Sequence, residues 1–286
     1  YNTKLHTSNC IRSIVENTKG VTYEIILVDN ASTDGSQDLF RNDNRIKFVE
    51  NNENLGFGKA NNIGYKYAIG KYIFLLNSDT ILLNNALKHF YDFAECSVNN
   101  IVCLGSLLLD KNNQIMHSFG CFPTISNILL HLLSVYTSRL NLNLEFNETR
   151  YIRERPFEVD YVTGADLFIR REIIEIYGFF DPVFFLYYEE TDLQYRYSKA
   201  RCKMLVIDGP MIYHIDGGSS HKQKKVSAKQ MIYITDGRFK YIRKHYNLFS
   251  YFFFIIIYFL LRLIPVAINN YSVSEKIRFL SFLIKD

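Results

Sequence analysis

The chain has 286 residues, of which 48% are hydrophobic, and a formal net charge of +4. Its length allows one large domain or two small ones with a sizeable core, and the small charge argues against a nucleic-acid binder. Five scattered cysteines without a CxxC pair favour a reducing compartment and argue against a disulfide framework or a structural zinc site.

Strand-like and helix-like segments alternate along the first two thirds of the chain. The chain opens on a helical pattern at residues 10–15, and we expect that the first strand of the domain is missing before it. Apolar or β-branched runs predict strands at 24–29, 45–50, 72–76, 101–105, 106–109, 159–163, 166–170 and 203–207. Helices are expected at 37–41, 84–94, 171–177 and 191–200, a further helix follows the segment 55–60 and runs through 68, and an insertion or lid is expected at 122–158. This order predicts a three-layer α/β/α sandwich around a mostly parallel, mixed sheet.

The C-terminal tail differs from the rest in composition. Residues 222–245 contain eight Lys or Arg and one acid, and an uncharged, aromatic-rich run follows at 248–261. That run is shorter than the roughly 20 residues that span a bilayer. It suits a helix lying on the cytoplasmic, inner face of the plasma membrane. The alternative is a helix packed on the preceding domain or on a second subunit of a homodimer. We therefore divide the chain into a domain at 1–245 and a helical tail at 246–286.

The apolar run at 72–76 ends abruptly in Asn77, Ser78 and Asp79. Ligands of α/β folds bind outside the carboxyl ends of the strands, where a carboxylate can hold a divalent cation against a phosphate. The alternative is that Asp79 caps a helix beginning near Ile81. This stretch alone leaves both interpretations open.

Two polar segments follow the strand ends before Asp79. Asp29 can accept a hydrogen bond from a base or a ribose hydroxyl, although its turn can equally cap the next helix. Gly56-Phe57-Gly58 resembles the start of G-x-G-x-x-G, but Asn61 occupies the third glycine position. A dinucleotide site is therefore disfavoured, and Asn61 with Asn62 binds sugar or phosphate oxygens or caps a turn.

Two further segments carry candidate chemistry later in the chain. An aromatic run at 184–188 ends in three acids, Glu189, Glu190 and Asp192. Clustered acids raise one another's pKa values, which suits a general base, whereas the alternative is a solvated acidic helix start. His214 precedes a glycine pair at 217–218, and neutral imidazole binds Mn²⁺-like metals, although a lone histidine is more often structural.

Together these segments resemble the family 2 glycosyltransferases with a GT-A fold, over roughly residues 1–245. The similar motifs are Val28 to Ser36, Asn54 to Gly58 with Asn61 and Asn62, Leu75 to Thr80 as a variant DxD motif, Gly178 to Asp181, Tyr188 to Leu193 with Arg196, and Tyr213-His214 with Gly218 and Ser219. The motifs are most similar to those of the rhamnosyltransferase-like bacterial enzymes that build surface polysaccharides.

The resemblance implies an inverting transfer from a nucleotide-diphosphate sugar, with dTDP-rhamnose as a candidate, to a saccharide or lipid-linked glycan. Asp79 and His214 would bind Mn²⁺ or Mg²⁺. Glu190 would be the general base, with Glu189 and Asp192 orienting it or binding the acceptor. The donor site would comprise Tyr1 and Asp29 at the base, Asn77 at the ribose or the metal, and Asn30, Ser32, Asn54, Gly56, Asn61 and Ser78.

The chain departs from the family pattern at two positions. Asn77 stands where DxD usually has its first acid, so that metal binding depends more on Asp79 and His214, and Glu190 stands where Asp is frequent. One alternative is a sugar nucleotidyltransferase, but no glycine-rich loop with a basic residue is visible. The other is an inactive membrane-bound scaffold, against which intact Asp79, Glu190 and His214 argue.

Overall fold

The computed structural model describes residues 1–137, 154–215, 227–268 and 272–285. The described residues form two compact units. The first comprises residues 1–121, 154–185 and 189–215, and the second comprises 122–137, 186–188, 227–268 and 272–285. Residues 227–245 thus group with the C-terminal helices, whereas the sequence pattern placed a boundary at 245.

Ten helices and eleven strands are present in these ranges. In chain order they are α1 (Lys4–Asn17), β1 (Ile26–Asp29), α2 (Ser36–Phe40), β2 (Lys47–Glu50), α3 (Phe57–Tyr65), β3 (Tyr72–Leu76), β4 (Thr80–Leu82), α4 (Ala86–Cys96), β5 (Ile101–Gly105), β6 (Phe119–Gly120), α5 (Ile125–Thr137), β7 (Phe157–Val159), β8 (Tyr161–Val162), β9 (Asp166–Arg170), α6 (Arg171–Tyr177), α7 (Glu189–Lys199), β10 (Lys203–Val206), β11 (Ile212–His214), α8 (Ala228–His245), α9 (Leu248–Ile268) and α10 (Val273–Lys285).

The main sheet of the first unit has the order β3-β9-β5-β10-β7. Strand β9 runs antiparallel to both β3 and β5, and β10 is parallel to β5, so that β3, β5 and β10 share one direction. Strands β1 and β2 form a separate parallel pair, and β11 pairs antiparallel with β4. The predicted mixed sheet is confirmed, but the main sheet is not mostly parallel. Its one parallel pair is β5 with β10, because β9 runs opposite to β3 and β5, and β7 runs opposite to β10.

Helices cover both faces of this sheet. Leu104 of β5 and Phe168 of β9 pack with Phe90 of α4 in one buried cluster. Cys103, which points to the opposite face because strand side chains alternate, interacts with Tyr197 of α7. The predicted three-layer arrangement therefore follows from strands that are apolar on both faces.

One open alternative and one local prediction are wrong. No helix begins near Ile81, because residues 80–82 form β4 and α4 begins only at Ala86. The run at 106–109 is not a strand, because only Leu109 makes isolated bridges. In both places pairing with distant chain segments, which a local pattern does not contain, decides the structure.

The second unit is helical. A capping box of Ser227 and Gln230 starts α8, and Arg238 inside the unit donates to the hydroxyls of Tyr188 (2.9 Å) and Tyr258 (3.1 Å). Within the described part of the chain, no helix combines the length and the apolarity needed to cross a membrane.

Candidate active site

The end of β3 brings three predicted site residues together. Asp79 Oδ1 lies 3.3 Å from His214 Nε2, and Asn77 Nδ2 lies 3.4 Å from the same ring nitrogen. The pairing of β11 with β4 places His214 opposite Thr80. Asp79 and His214, far apart in the sequence, thus become neighbours because β4, which directly follows β3 and Asp79, pairs with the distant strand β11.

The carboxyl group of Asp79 is held in its ionised form. Burial alone would raise its pKa, but the contact with His214 lowers the pKa below its usual value. Both side chains are mostly buried, at 21% exposure for Asp79 and 13% for His214. This site therefore favours a negative charge beside an imidazole, at the strand end where α/β folds bind their ligands.

The donor atoms at this strand end suit a divalent cation. A carboxylate and an imidazole are ligands for Mn²⁺, and a carboxylate for Mg²⁺. A half-turn of the Asn77 amide exchanges its nitrogen for its oxygen, which would add a third ligand. Among the described residues no cluster of three or more His, Cys, Asp or Glu is arranged for a metal.

A second acidic site lies at the start of α7. Glu189 is 3% exposed, and burial together with the charge of Glu190 raises its pKa well above the usual value. Burial also raises the pKa of Glu190. One carboxyl oxygen of each, Oε2, is buried without a hydrogen-bond partner among the described residues. Such carboxyls bind protons more strongly than free ones, as a general base near neutral pH requires.

The loop before β9 connects the two sites. The backbone N–H of Asn77 donates to Ala165 O (3.0 Å), and the backbone of Gly164 makes a hydrogen bond to the Glu190 carboxyl. A Cβ at Gly164 would approach the Phe57 ring to 2.9 Å, so the loop has no room for a larger residue. The Asp79 and Glu190 sites are thus held to one short backbone segment.

Asp29 ends β1 inside a hydrogen-bonded turn. Its Oδ2 accepts hydrogen bonds from the backbone N–H of Ser32 (2.8 Å) and from Gln37 Nε2 (2.9 Å). Burial would raise its pKa, but these bonds lower it, so Asp29 is ionised. Tyr1, the other predicted base contact, is 56% exposed.

The predicted donor loop around Gly56 is internally bonded. Asn30 donates to Gly56 O (3.2 Å) and accepts from Asn51 (2.8 Å), while Asn54 accepts from Gly56 N–H (3.0 Å). Gly56 has φ +82°, and a Cβ there would lie 2.0 Å from Phe185 O. Only glycine fits this position, because the backbone before α7 passes directly over it.

The remaining predicted residues have diverse surroundings. Asn61 donates to Phe57 O within α3 (3.0 Å), and Ser78 Oγ lies 3.1 Å from Thr3 Oγ1. Asp192 is fully buried and pairs with Arg196 at 3.1 Å. Residues 216–220, with Gly218 and Ser219 of the predicted closing motif, lie outside the described residues.

Sequence reasoning missed one buried acid near the site. Asp166, the first residue of β9, pairs in register with Leu76 and accepts hydrogen bonds from Ser106 N–H (2.7 Å) and Oγ (2.6 Å). Burial raises its pKa to about 8. The sequence feature that could have identified Asp166 is its position: it is an acid at the start of an otherwise apolar strand, directly after Gly164-Ala165.

Comparison with known proteins identifies the family of this chain. The family described as Glycosyl transferase family 2 matches residues 1–178. Glycosyltransferase GlyG of Streptococcus pneumoniae is 34% identical over 95 residues, which are 32% of this chain and 31% of GlyG. The chain thus spans about a third of the length of that relative.

A longer match is WfgD of Escherichia coli, named as a UDP-Glc:alpha-D-GlcNAc-diphosphoundecaprenol beta-1,3-glucosyltransferase. It is 31% identical over 184 residues, which are 61% of this chain and 67% of WfgD.

Two solved structures resemble the fold. GalNAc-T7 with UDP, GalNAc and Mn²⁺ has a TM-score of 0.59 at 15% identity, over 97% of this chain and 53% of that chain. The mannosyltransferase PcManGT of Pyrobaculum calidifontis, in complex with GDP-Man and Mn²⁺, has a TM-score of 0.55 at 12% identity. The match covers 99% of this chain and 82% of that chain. At such identities the likeness concerns the fold alone, and it confirms the predicted GT-A-like fold.

Proposed function

Because this chain belongs to glycosyl transferase family 2, we propose that it transfers a hexose from a nucleotide-diphosphate sugar to a saccharide or lipid-linked glycan with inversion at the anomeric carbon. The observation that carries this proposal is the convergence of Asn77, Asp79 and His214 at the end of β3, together with the Gly164 contact to the Glu190 carboxyl. An ionised acid and a proton-accepting acid are thus connected by one loop.

Within this proposal the two carboxylates have different roles. Glu190, whose pKa is raised by burial, takes the proton from the acceptor hydroxyl as that oxygen attacks the sugar. The charge of Glu190 and burial raise the pKa of Glu189, so Glu189 is held neutral beside the base. Asp192 positions the helix start, since its carboxylate is held by Arg196 at 3.1 Å.

The donor side of the site fits a nucleoside diphosphate and a cation. Asp79 and His214, with the Asn77 amide, would hold Mn²⁺ or Mg²⁺, and such an ion stabilises the diphosphate leaving group when bound. The Asp29 carboxylate, fixed by Ser32 and Gln37, accepts a hydrogen bond from the base. Tyr1 and the Gly56 loop complete the proposed donor site.

A thermal-shift series with nucleotide sugars and Mn²⁺ tests the donor assignment. We expect a dTDP-hexose or UDP-glucose to raise the melting temperature with Mn²⁺ and not with EDTA. Stabilisation by dTDP-rhamnose supports the sequence-based donor, whereas stabilisation by UDP-glucose alone favours the donor in the name of WfgD. If none of these nucleotide sugars binds and none is hydrolysed, the result supports the alternative of an inactive membrane-bound scaffold.

We further propose that the second unit contacts a membrane surface, and the observation behind it is a stripe of exposed apolar side chains on α9. The stripe comprises Leu248, Phe249, Phe252, Phe253, Ile256, Leu260 and Leu263, with Phe249 83% exposed. The exposed Arg243 and Lys244 precede it at the end of α8. Aromatic residues beside cations suit the interface of an anionic bilayer.

Vesicle sedimentation tests this contact. The chain should bind vesicles of phosphatidylcholine with phosphatidylglycerol more tightly than pure phosphatidylcholine, and Phe249→Ser with Phe253→Ser should abolish binding. Leu5→Ser, which changes a 70% exposed residue of α1, is the matched control. Equal binding by the double variant and the control would contradict the proposal.

A further inference from the structure

Two consecutive tyrosines directly before α7 have a left-handed backbone. Tyr187 and Tyr188 each have φ +71°. Bulky L residues rarely adopt this region, because the side chain clashes with the backbone, so contacts from the surroundings have to hold such a turn. Glu189 and Glu190 follow as the first two residues of α7. The direction in which α7 leaves the turn therefore depends on the contacts that hold the two tyrosines.

A glycine in the middle of α8 makes room for this turn. A Cβ at Gly237 would lie 2.7 Å from Tyr187 O and 3.1 Å from Tyr188 Cδ2. Glycine inside a helix lowers the stability of that helix relative to alanine, and the close approach of another backbone explains why it is present here. The turn at 187–188 is thus packed directly against the backbone of α8.

Arg238, the next residue of α8, fixes the second tyrosine. Its Nε donates to Tyr188 Oη (2.9 Å), and its Nη1 donates to Tyr258 Oη on α9 (3.1 Å). A planar guanidinium holds its donors in a rigid fork, so these two acceptors have a fixed separation. The ring of Tyr188 also packs on that of Tyr241, with the centroids 5.7 Å apart. Arg238 therefore connects the turn to both long helices of the second unit.

The chain on either side of the turn is held within the first unit. Before the turn, the N–H of Phe57 donates to Phe185 O (3.0 Å). After it, Gln194 Nε2 donates to Val162 O (2.7 Å), and the N–H of Val162 donates to Gln194 Oε1 (2.9 Å). These bonds fix α7 from Gln194 onward. The residues of α7 before Gln194, which include Glu190, follow the turn.

We propose that Arg238 is a positioning residue for Glu190. By holding Tyr188 it holds the left-handed turn from which α7 begins, and the turn sets where the Glu190 carboxyl lies relative to the loop at 164–165. Arg238 acts through the peptide chain, because Tyr188 and Glu189 are adjacent residues. This inference rests on the proposed role of Glu190 as the general base.

Arg238→Met and Tyr188→Phe test the positioning role. Met keeps much of the length of the arginine and removes its donors, whereas Phe removes only the acceptor hydroxyl and leaves the bond from Arg238 to Tyr258. Arg262→Met is the matched control, because Arg262 also donates to Tyr258 Oη (3.2 Å) and its loss leaves the bond between Arg238 and Tyr188 in place. Arg238→Lys, which keeps the charge but has a single donor nitrogen, tests for rescue.

Sugar transfer gives the first readout. We expect kcat to fall about tenfold in Arg238→Met and Tyr188→Phe, because small displacements of a catalytic group are costly. The KM for the donor and the Mn²⁺-dependent thermal shift should stay unchanged, since the Asp79 site is not altered. Arg238→Lys should recover part of kcat, and the control should keep the full value.

Hydrogen exchange gives a readout that does not depend on transfer. The amides at 193–195 close the first turn of α7, and they should exchange at least tenfold faster in Arg238→Met and Tyr188→Phe. The amides at 204–206 of β10 should be unchanged, as should both sets in Arg262→Met. This exchange pattern in a chain without sugar transfer would refute the proposed function alone. Unchanged exchange at 193–195 in both variants, or equal acceleration in the control, would overturn the positioning role.

Discussion

The two carboxylate sites of the first unit have opposite electrostatics. Asp79 faces a histidine, and this contact lowers its pKa despite burial. Glu189 and Glu190 face each other and apolar surroundings, and burial raises both pKa values. Chemically similar side chains, connected by the loop at 164–165, are thus prepared for different tasks. The difference shows that the partner of a carboxyl, more than its burial, decides whether it carries charge.

The largest effect is expected at Glu190. Glu190→Gln removes the proton acceptor and should lower sugar transfer by about 10³-fold, in line with the usual contribution of a general base. Donor binding should persist, because the change leaves the Asp79 site intact. Transfer assays and the thermal shift with donor and Mn²⁺ measure the two effects separately. Glu190→Asp, one methylene shorter, is the matched control and should retain part of the activity.

Asp79→Asn tests the ionised site. The amide has no charge to offer a cation, so we expect transfer to fall about 10²-fold and the Mn²⁺-dependent thermal shift to disappear. Glu158→Gln, which changes an exposed acid paired with Lys203, should leave both unchanged. If Asp79→Asn lowered transfer but kept the Mn²⁺-dependent shift, the cation assignment would be wrong.

Asp166 extends the comparison to an acid outside the proposed chemistry. Its pKa is about 8 in the fold, above its unfolded value, so its contribution to stability is complete below about pH 4 and is lost as the pH rises through 8. Between pH 5 and pH 8 the unmodified chain should lose about 1 kcal/mol of unfolding free energy per pH unit relative to Asp166→Asn. Urea unfolding of both proteins at pH 5.5 and 8 gives the slopes. Parallel slopes would show that the carboxyl is not held neutral.

The smallest effect is expected at Glu189. Burial and the charge of Glu190 raise the pKa of Glu189 well above its usual value, so Glu189 is the neutral member of the pair, and Gln is an uncharged side chain of the same shape. Glu189→Gln should therefore leave both the midpoint of the acidic limb of the kcat/KM profile and its plateau nearly unchanged. A midpoint that moves to lower pH would show that Glu189 carries a charge beside the base, and a plateau that collapses would assign Glu189 to acceptor binding.

Much of the fold follows from local sequence. The apolar run at 72–76 and the helix at 171–177 have the predicted bounds in the structure, because their periodicity and flanking residues agree with their tertiary surroundings. The alternative of a helix that begins near Ile81 fails because Thr80 to Leu82 pair with β11. No local pattern contains that partner, which lies more than 100 residues later.

Asp79, Glu190 and His214 are named as site residues from motif resemblance, and their roles stay predictions. The structure places Asp79 and His214 3.3 Å apart. The raised pKa of Asp166 could not be recognised from the sequence, because it depends on burial in the folded sheet.

The separation of Asn77 and His214 by 137 positions has a consequence for synthesis. A ribosome adding about 5–20 residues per second exposes the first of them roughly 7–27 s before the second. During that interval the strand end after β3 exists without its imidazole, and β4 lacks β11. A product that ended prematurely before residue 214 would therefore contain Asn77 and Asp79 without the imidazole that contacts them in the folded chain.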